Sequence, residues 1–111
     1  MKRIPLLLSL MALAIPFVAN ASTGEELWMK YCKMCHGADG SSKTAMGKKL
    51  KIPDYTDAAV QSTITDEAAR EAITNGLKTE SGKTSMLPFG KKLSKEEIDL
   101  LIAHLRSLKA E

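Results

Sequence analysis

Residues 31–37 read Tyr-Cys-Lys-Met-Cys-His-Gly, and they hold both cysteines of the 111-residue chain and one of its two histidines. Two thiols separated by two residues, with an imidazole directly behind the second, decide how everything around them is read. A dithiol redox site would use Cys32 and Cys35 alone and belongs near a strand–helix–strand pattern; no strand of useful length is legible here. A structural zinc site needs four ligands, usually from two separated pairs, and beyond this cluster only His104 remains. A disulfide between Cys32 and Cys35 would close a loop too small to remove much unfolded-state entropy.

Covalent haem attachment uses every residue of the cluster, and Cys-x-x-Cys-His is its sequence signature. About one helical turn separates the cysteines, so each thiol can add to one vinyl group on adjacent pyrrole rings. His36 then lies under the ring, where its imidazole reaches the iron. The expectation is one haem c, held by thioethers at Cys32 and Cys35, with His36 as an axial ligand.

Upstream of the cluster, Thr23 with Glu26 forms a capping box, and Leu27, Trp28, Tyr31 and Met34 follow at helical spacing. This predicts a first helix that runs into Cys32 and Cys35. Downstream, Asp66–Thr74 reads as a second helix, capped by Thr65 and ended by Asn75-Gly76. The last helix carries the clearest signals. Ser94 and Glu97 form a capping box, Leu93 and Ile98 a hydrophobic staple, and Ile98, Leu101, Ile102, Leu105 and Leu108 one apolar stripe. Loops rich in Gly, Lys, Ser and Pro fill 37–63 and 76–90. The fold class expected is all-α, a small single domain of three main helices whose long loops wrap one covalently attached haem.

The far side of the iron has five candidates: Met29, Met34, Met46, Met86 and His104. Met34 lies between the cysteines and cannot cross the ring. Met29 precedes the attachment site on a helix, and Met46 sits in a Gly/Lys loop with nothing to hold it. His104 lies beside the apolar stripe of the last helix, where packing is the commoner role. Met86 is fifty residues past His36, enough chain to round the ring edge. Pro88 restricts Leu87 to extended conformations and stiffens the segment behind it. Met86 is therefore the expected second ligand.

At the other end, Lys2 and Arg3 precede an apolar run from Ile4 to Val18, closed by Ala19-Asn20-Ala21. This is the layout of a secretory signal peptide. The run is short for a bilayer span of about 20 apolar residues. Residues 1–21 are expected to be removed and 22–111 to form the working domain in the periplasm, rather than secreted or membrane-anchored, with no stable membrane insertion. Residues 22–111 carry fourteen Lys and Arg against thirteen Asp and Glu, a balance that gives nucleic-acid binding no support. A core this small is only marginally stabilising, and such chains often lean on a disulfide, a metal or a cofactor.

These residues resemble class I c-type cytochromes, the small monohaem electron carriers. The likeness covers nearly all of 22–111: Gly24 and Trp28, the Cys32–His36 motif, Met86-Leu87-Pro88-Phe89, and the helix ending Ala103-His104-Leu105-Arg106-Ser107-Leu108. It implies that Gly24 and Trp28 contact Leu101 and His104 across the first and last helices. It also implies a soluble one-electron carrier with His36/Met86 ligation, not an enzyme. The departures are His104 where an aromatic is usual, Leu87 directly after Met86, and Gly47-Lys48 where many members have Gly-Pro. The last leaves the Lys48 carbonyl to orient His36. Ile52 and Pro53 are expected to cover a haem edge. Tyr55 reads equally as a propionate partner or a surface residue.

Lys43, Lys48, Lys49, Lys83, Lys91 and Lys92 flank the two loops and would steer redox partner proteins with acidic surfaces. Asp54, Asp57, Asp66, Glu67 and Glu71 gather in the middle segment, and the carrier is expected to be a monomer. The rival readings are a small haem peroxidase and a ligand-binding haem sensor or subunit, each with a labile Met86. No distal acid–base pair is legible beside Met86, and ninety residues leave no room for an output domain.

Overall fold

The computed structural model describes residues 1–14 and 22–110. The cleavage signal at 19–21 lies outside the described residues. Residues 1–14 carry no helix or strand. From Gly24 onward the described residues form six helices and one small hairpin.

Helix α1 spans Gly24–Tyr31. Thr23 caps it by accepting from the Glu26 N–H at 3.1 Å, the first half of the expected capping box. Leu27 and Trp28 are its buried residues. The sequence predicts one helix through both cysteines, but the structure breaks it at Cys32. That residue closes α1 and opens α2, Lys33–His36. Its carbonyl accepts from the His36 N–H at 2.9 Å, so the motif forms its own single turn.

The region predicted as a first long loop contains two short helices, α3 (Ala45–Lys49) and α4 (Ala58–Thr63), capped by Thr44 and Asp57. Helix α5 spans Asp66–Asn75 with Thr65 as its cap, as the sequence predicts to within one residue. A two-stranded antiparallel hairpin then appears, β1 (Leu77–Lys78) and β2 (Thr84–Met86). The sequence showed no alternation for it, because the strands are two and three residues long and largely exposed. Helix α6 spans Lys95–Ser107 with the complete Ser94/Glu97 capping box.

The core lies where α1 meets α6, with Ala69 of α5, Cys32, Phe89 and Leu93 closing its sides. Leu27, Trp28, Ile98, Leu101, Ile102 and Leu105 fill it. The glycine at 24 sets how closely the two helices approach: a Cβ there would lie 2.5 Å from the Leu100 carbonyl oxygen and 3.1 Å from the His104 Cβ. The contact is therefore with Leu100 and His104; Leu101 turns inward to the core. Trp28 packs against His104 across the crossing, with ring centroids 5.5 Å apart. A half-buried apolar fringe of Tyr31, Tyr55, Ile64, Ile73, Met86 and Leu108 packs against this core.

Candidate functional site

The cysteine–histidine turn is anchored from three directions. Its three successive carbonyls each accept a hydrogen bond: Cys35 from the Thr44 hydroxyl at 2.6 Å, His36 from the Ser42 N–H at 2.8 Å, and Gly37 from the Trp28 indole N–H at 2.8 Å. Ser42 is itself buried, holds a left-handed φ of 62°, and donates its hydroxyl to the Pro53 carbonyl at 2.7 Å. Gly47 lies against this loop so closely that a Cβ would sit 2.0 Å from the Ser42 carbonyl oxygen. Ser42 and Thr44 carried no distinguishing sequence signal, since serine and threonine are ordinary loop residues.

Both thiols are free, Cys32 buried and Cys35 half-buried. Burial, and then the neighbouring Cys35, pushes the Cys32 thiol up to about 11. A reactive dithiol needs the opposite shift, toward the thiolate. This argues against Cys32 as the attacking thiol of a dithiol exchange site.

His36 packs near two aromatic rings. Its centroid is 5.6 Å from Trp28 and 5.4 Å from Tyr55, with interplanar angles of 44° and 31°. Burial lowers its pKa and favours the neutral imidazole, the form that ligates a metal. Its Nδ1 is buried and has no hydrogen-bond partner among the described residues. The Lys48 carbonyl, expected to orient the ring, accepts instead from the Lys51 N–H at 3.4 Å at the end of α3. The short helix there draws that carbonyl into its own last turn. An unpartnered buried ring nitrogen calls for an explanation. A neutral imidazole held rigidly one residue behind two free thiols is a donor set that fits a covalently bound haem iron.

Met86 ends β2, opposite Leu77, and is half-buried against the core. By contrast, Met29 is 41% exposed, Met34 83% and Met46 37%, so none of these is drawn into the same fringe. Gly76 permits the approach behind Met86: its φ is 73°, and a Cβ would lie 2.4 Å from the Met86 carbonyl oxygen. The segment beyond is stitched to the end of α5 by N–H bonds from Phe89 to the Ile73 carbonyl (2.8 Å) and from Gly90 to Thr74 (3.0 Å). Phe89 is buried and meets Tyr31 edge-on at 5.7 Å.

The three residues named as haem contacts separate. Ile52 is half-buried, whereas Pro53 is exposed and engages the loop through its carbonyl. Tyr55 is half-buried beside His36. Burial, and then the Cys32 charge, raises its pKa. Sequence reading missed Gln61 and Arg106. Gln61 is a buried polar residue on α4 that donates to the Tyr55 carbonyl at 2.7 Å and the Leu105 carbonyl at 2.8 Å. Arg106 donates to Gln61 Oε1 at 3.0 Å, to its carbonyl at 2.8 Å, and to Asp66 at 2.9 Å. Apart from Tyr55, these partners lie forty or more residues apart in sequence, beyond any local pattern.

A family model described as "Cytochrome C oxidase, cbb3-type, subunit III" matches residues 19–105. Among solved structures, the KustC0563 c-type cytochrome is similar with a TM-score of 0.68 and 35% identity, over 79% of this chain and 99% of that one. A tyrosine-to-phenylalanine mutant of the same protein gives a TM-score of 0.67 and 35% identity, over 79% and 100%. No curated protein matches the sequence.

Proposed function

The chain belongs to the cytochrome c family of the cbb3-oxidase subunit III type and is a haem-binding c-type cytochrome, and from that premise we propose that it is an exported monohaem electron carrier with His36/Met86 ligation. The observation that carries this reading is the half-buried His36, with its buried and unpartnered Nδ1, fixed behind two free thiols. In this reading Cys32 and Cys35 would hold the ring covalently, and His36 and Met86 would ligate the iron.

Bound haem supplies a reversible one-electron iron couple. The chain's part is to keep that couple rigid and partly dry. The three anchored carbonyls hold the His36 turn, while the Phe89 and Gly90 bonds hold the Met86 segment. A soft, neutral thioether favours the reduced iron and raises the potential. With His36 and Met86 both ligating, the iron would offer small ligands no open site, which would favour electron transfer over peroxidase or sensor chemistry.

Residues 1–21 are proposed as the export signal and the periplasm as the location, on the basic start, the apolar run and the small-x-small end. The lysines at 43, 48, 49, 83, 91 and 92 are all exposed, and redox partners with acidic surfaces suit them. A docked subunit of a larger oxidase is the second reading, favoured by the family model's description. Sedimentation of the purified native protein separates the two: a carrier runs as a haem-bearing monomer.

The test of ligation is the absorption spectrum of wild type and Met86→Ala. Wild type should show a weak far-red band when oxidised, lost on reduction, and negligible carbon monoxide binding when reduced. Met86→Ala should lose the band and bind carbon monoxide. A wild type that binds carbon monoxide strongly overturns the His/Met reading.

A further inference from the structure

We propose that Gln61 is a positioning residue for the axial imidazole: it fixes the Tyr55 ring against His36 and so sets the orientation of the His36 plane. The proposal rests on the reading of His36 as an iron ligand.

A ligating histidine is ordinarily oriented by a hydrogen bond from its other ring nitrogen. His36 has no such partner at Nδ1 among the described residues. Two rings pack near it instead, Trp28 at 5.6 Å and Tyr55 at 5.4 Å between centroids. Trp28 is locked by burial in the core and by its indole bond to Gly37. Tyr55 is on a loop, half-buried, and its hydroxyl makes no hydrogen bond among the described residues. Beyond its packing against the core, Tyr55 is held by hydrogen bonds to its backbone.

Two such bonds form. The Tyr55 N–H donates to the Gly40 carbonyl at 2.9 Å, within the loop that follows the motif. Its carbonyl accepts from Gln61 Nε2 at 2.7 Å. The same amide nitrogen donates to the Leu105 carbonyl on α6 at 2.8 Å, so Gln61 ties the Tyr55 loop to the helix that crosses α1. Two carbonyl acceptors use both N–H groups of the amide, and Arg106 donates to the amide oxygen at 3.0 Å. Every partner agrees on one orientation of the side chain, which is buried. Such a fully satisfied buried network is rigid, and losing one member strands the others. Glutamine alone meets this pattern: glutamate would keep the Arg106 contact and turn two donations into oxygen–oxygen repulsion, and leucine would lose all three.

The test uses haem-loaded protein. Proton NMR of the oxidised form reports the His36 plane through the spread of the haem-methyl shifts, and potentiometry reports the midpoint potential. Gln61→Leu and Gln61→Glu should each change the haem-methyl pattern and shift the potential. Ile98→Val, a core truncation on α6 outside the network, should lower stability and leave the haem-methyl pattern as in wild type. In a Tyr55→Ala background, Gln61→Leu should add no further change in the pattern. Unchanged patterns in both Gln61 variants, or a full additional change in the Tyr55→Ala background, overturn the proposal. Resonances of a ligated His36 imidazole absent from wild type itself would instead overturn the ligation on which it rests.

Discussion

At Cys32 the local environment decides the chemistry. Free of haem, the thiol is buried and its pKa is pushed up to about 11, so in that state it is a poor exchanger. Covalent capture by a haem uses the sulfur without requiring a stable thiolate in the folded protein. The two sulfurs then act as independent tethers. Cys32→Ser and Cys35→Ser, each alone, should keep the pigment through extraction with acidified organic solvent, and the double variant should release it. Asp54 illustrates a different residue-scale effect. Hydrogen bonds from Thr56, side chain and backbone, hold its carboxyl below the usual value of 3.8. A depressed folded-state pKa contributes stability above the ordinary carboxylate value, and that contribution is lost as the pH falls through the folded value. Asp54→Asn should therefore flatten this part of the acid-unfolding curve, read by circular dichroism between neutral pH and pH about 2.

Between residues and the whole, the elements meet at one close contact. Helices α1 and α6 approach through Gly24, and an added Cβ would stand 2.5 Å from the Leu100 carbonyl oxygen. Backbone cannot move aside as a side-chain tip can. Gly24→Ala should force the helices apart and cost about 1–3 kcal/mol, the usual range for overpacking, measured by denaturant unfolding. The start of α6 is held by a reciprocal pair: the Glu97 N–H donates to the Ser94 hydroxyl at 3.1 Å, and the Ser94 N–H to Glu97 Oε1 at 2.9 Å. Ser94→Ala should cost about 1 kcal/mol. In a domain of this size that lowers the melting midpoint by about 4–8 °C. The hairpin works differently, because its strands are too short to add much stability of their own. Its effect is geometric: with Gly76 at φ 73° it turns the chain so that Met86 faces the core and Leu87, 63% exposed, faces water.

On the scale of the whole molecule, charge and core size matter most. The net charge of 22–111 is near zero, yet six lysines stand exposed, three on or just before α3 and three around the Met86 segment. A local field of that kind steers encounter rather than adding affinity. Electron-transfer rates with an acidic-surfaced partner should fall as ionic strength rises from about 0.01 to about 0.15 M, where the Debye length shrinks from about 30 to about 8 Å. Rates that hold constant across that range would remove the steering role. The core is also small, and no side chain among the described residues falls below 2% exposure. Tyr31, Tyr55, Ile64, Ile73 and Met86 are left half-buried. A flat apolar ring laid against such a fringe would complete a core that the chain alone leaves thin.

Local chemistry was legible in the sequence by itself: the thiol–thiol–imidazole cluster, the caps at Thr23, Thr65 and Ser94, and the stripe from Ile98 to Leu108. Each is written within a few residues, at spacings that backbone geometry alone fixes. The family, too, could be read from those motifs. Other features were decided only when distant segments met. The break at Cys32, the short helices in the first loop, and the loss of the Lys48 carbonyl to its own helix depend on packing around 37–63. The link from Arg106 through Gln61 to Tyr55 joins partners that no periodicity connects. A buried polar group must find a hydrogen bond wherever the fold brings one near, so its partner is a property of the tertiary structure and not of the neighbouring sequence.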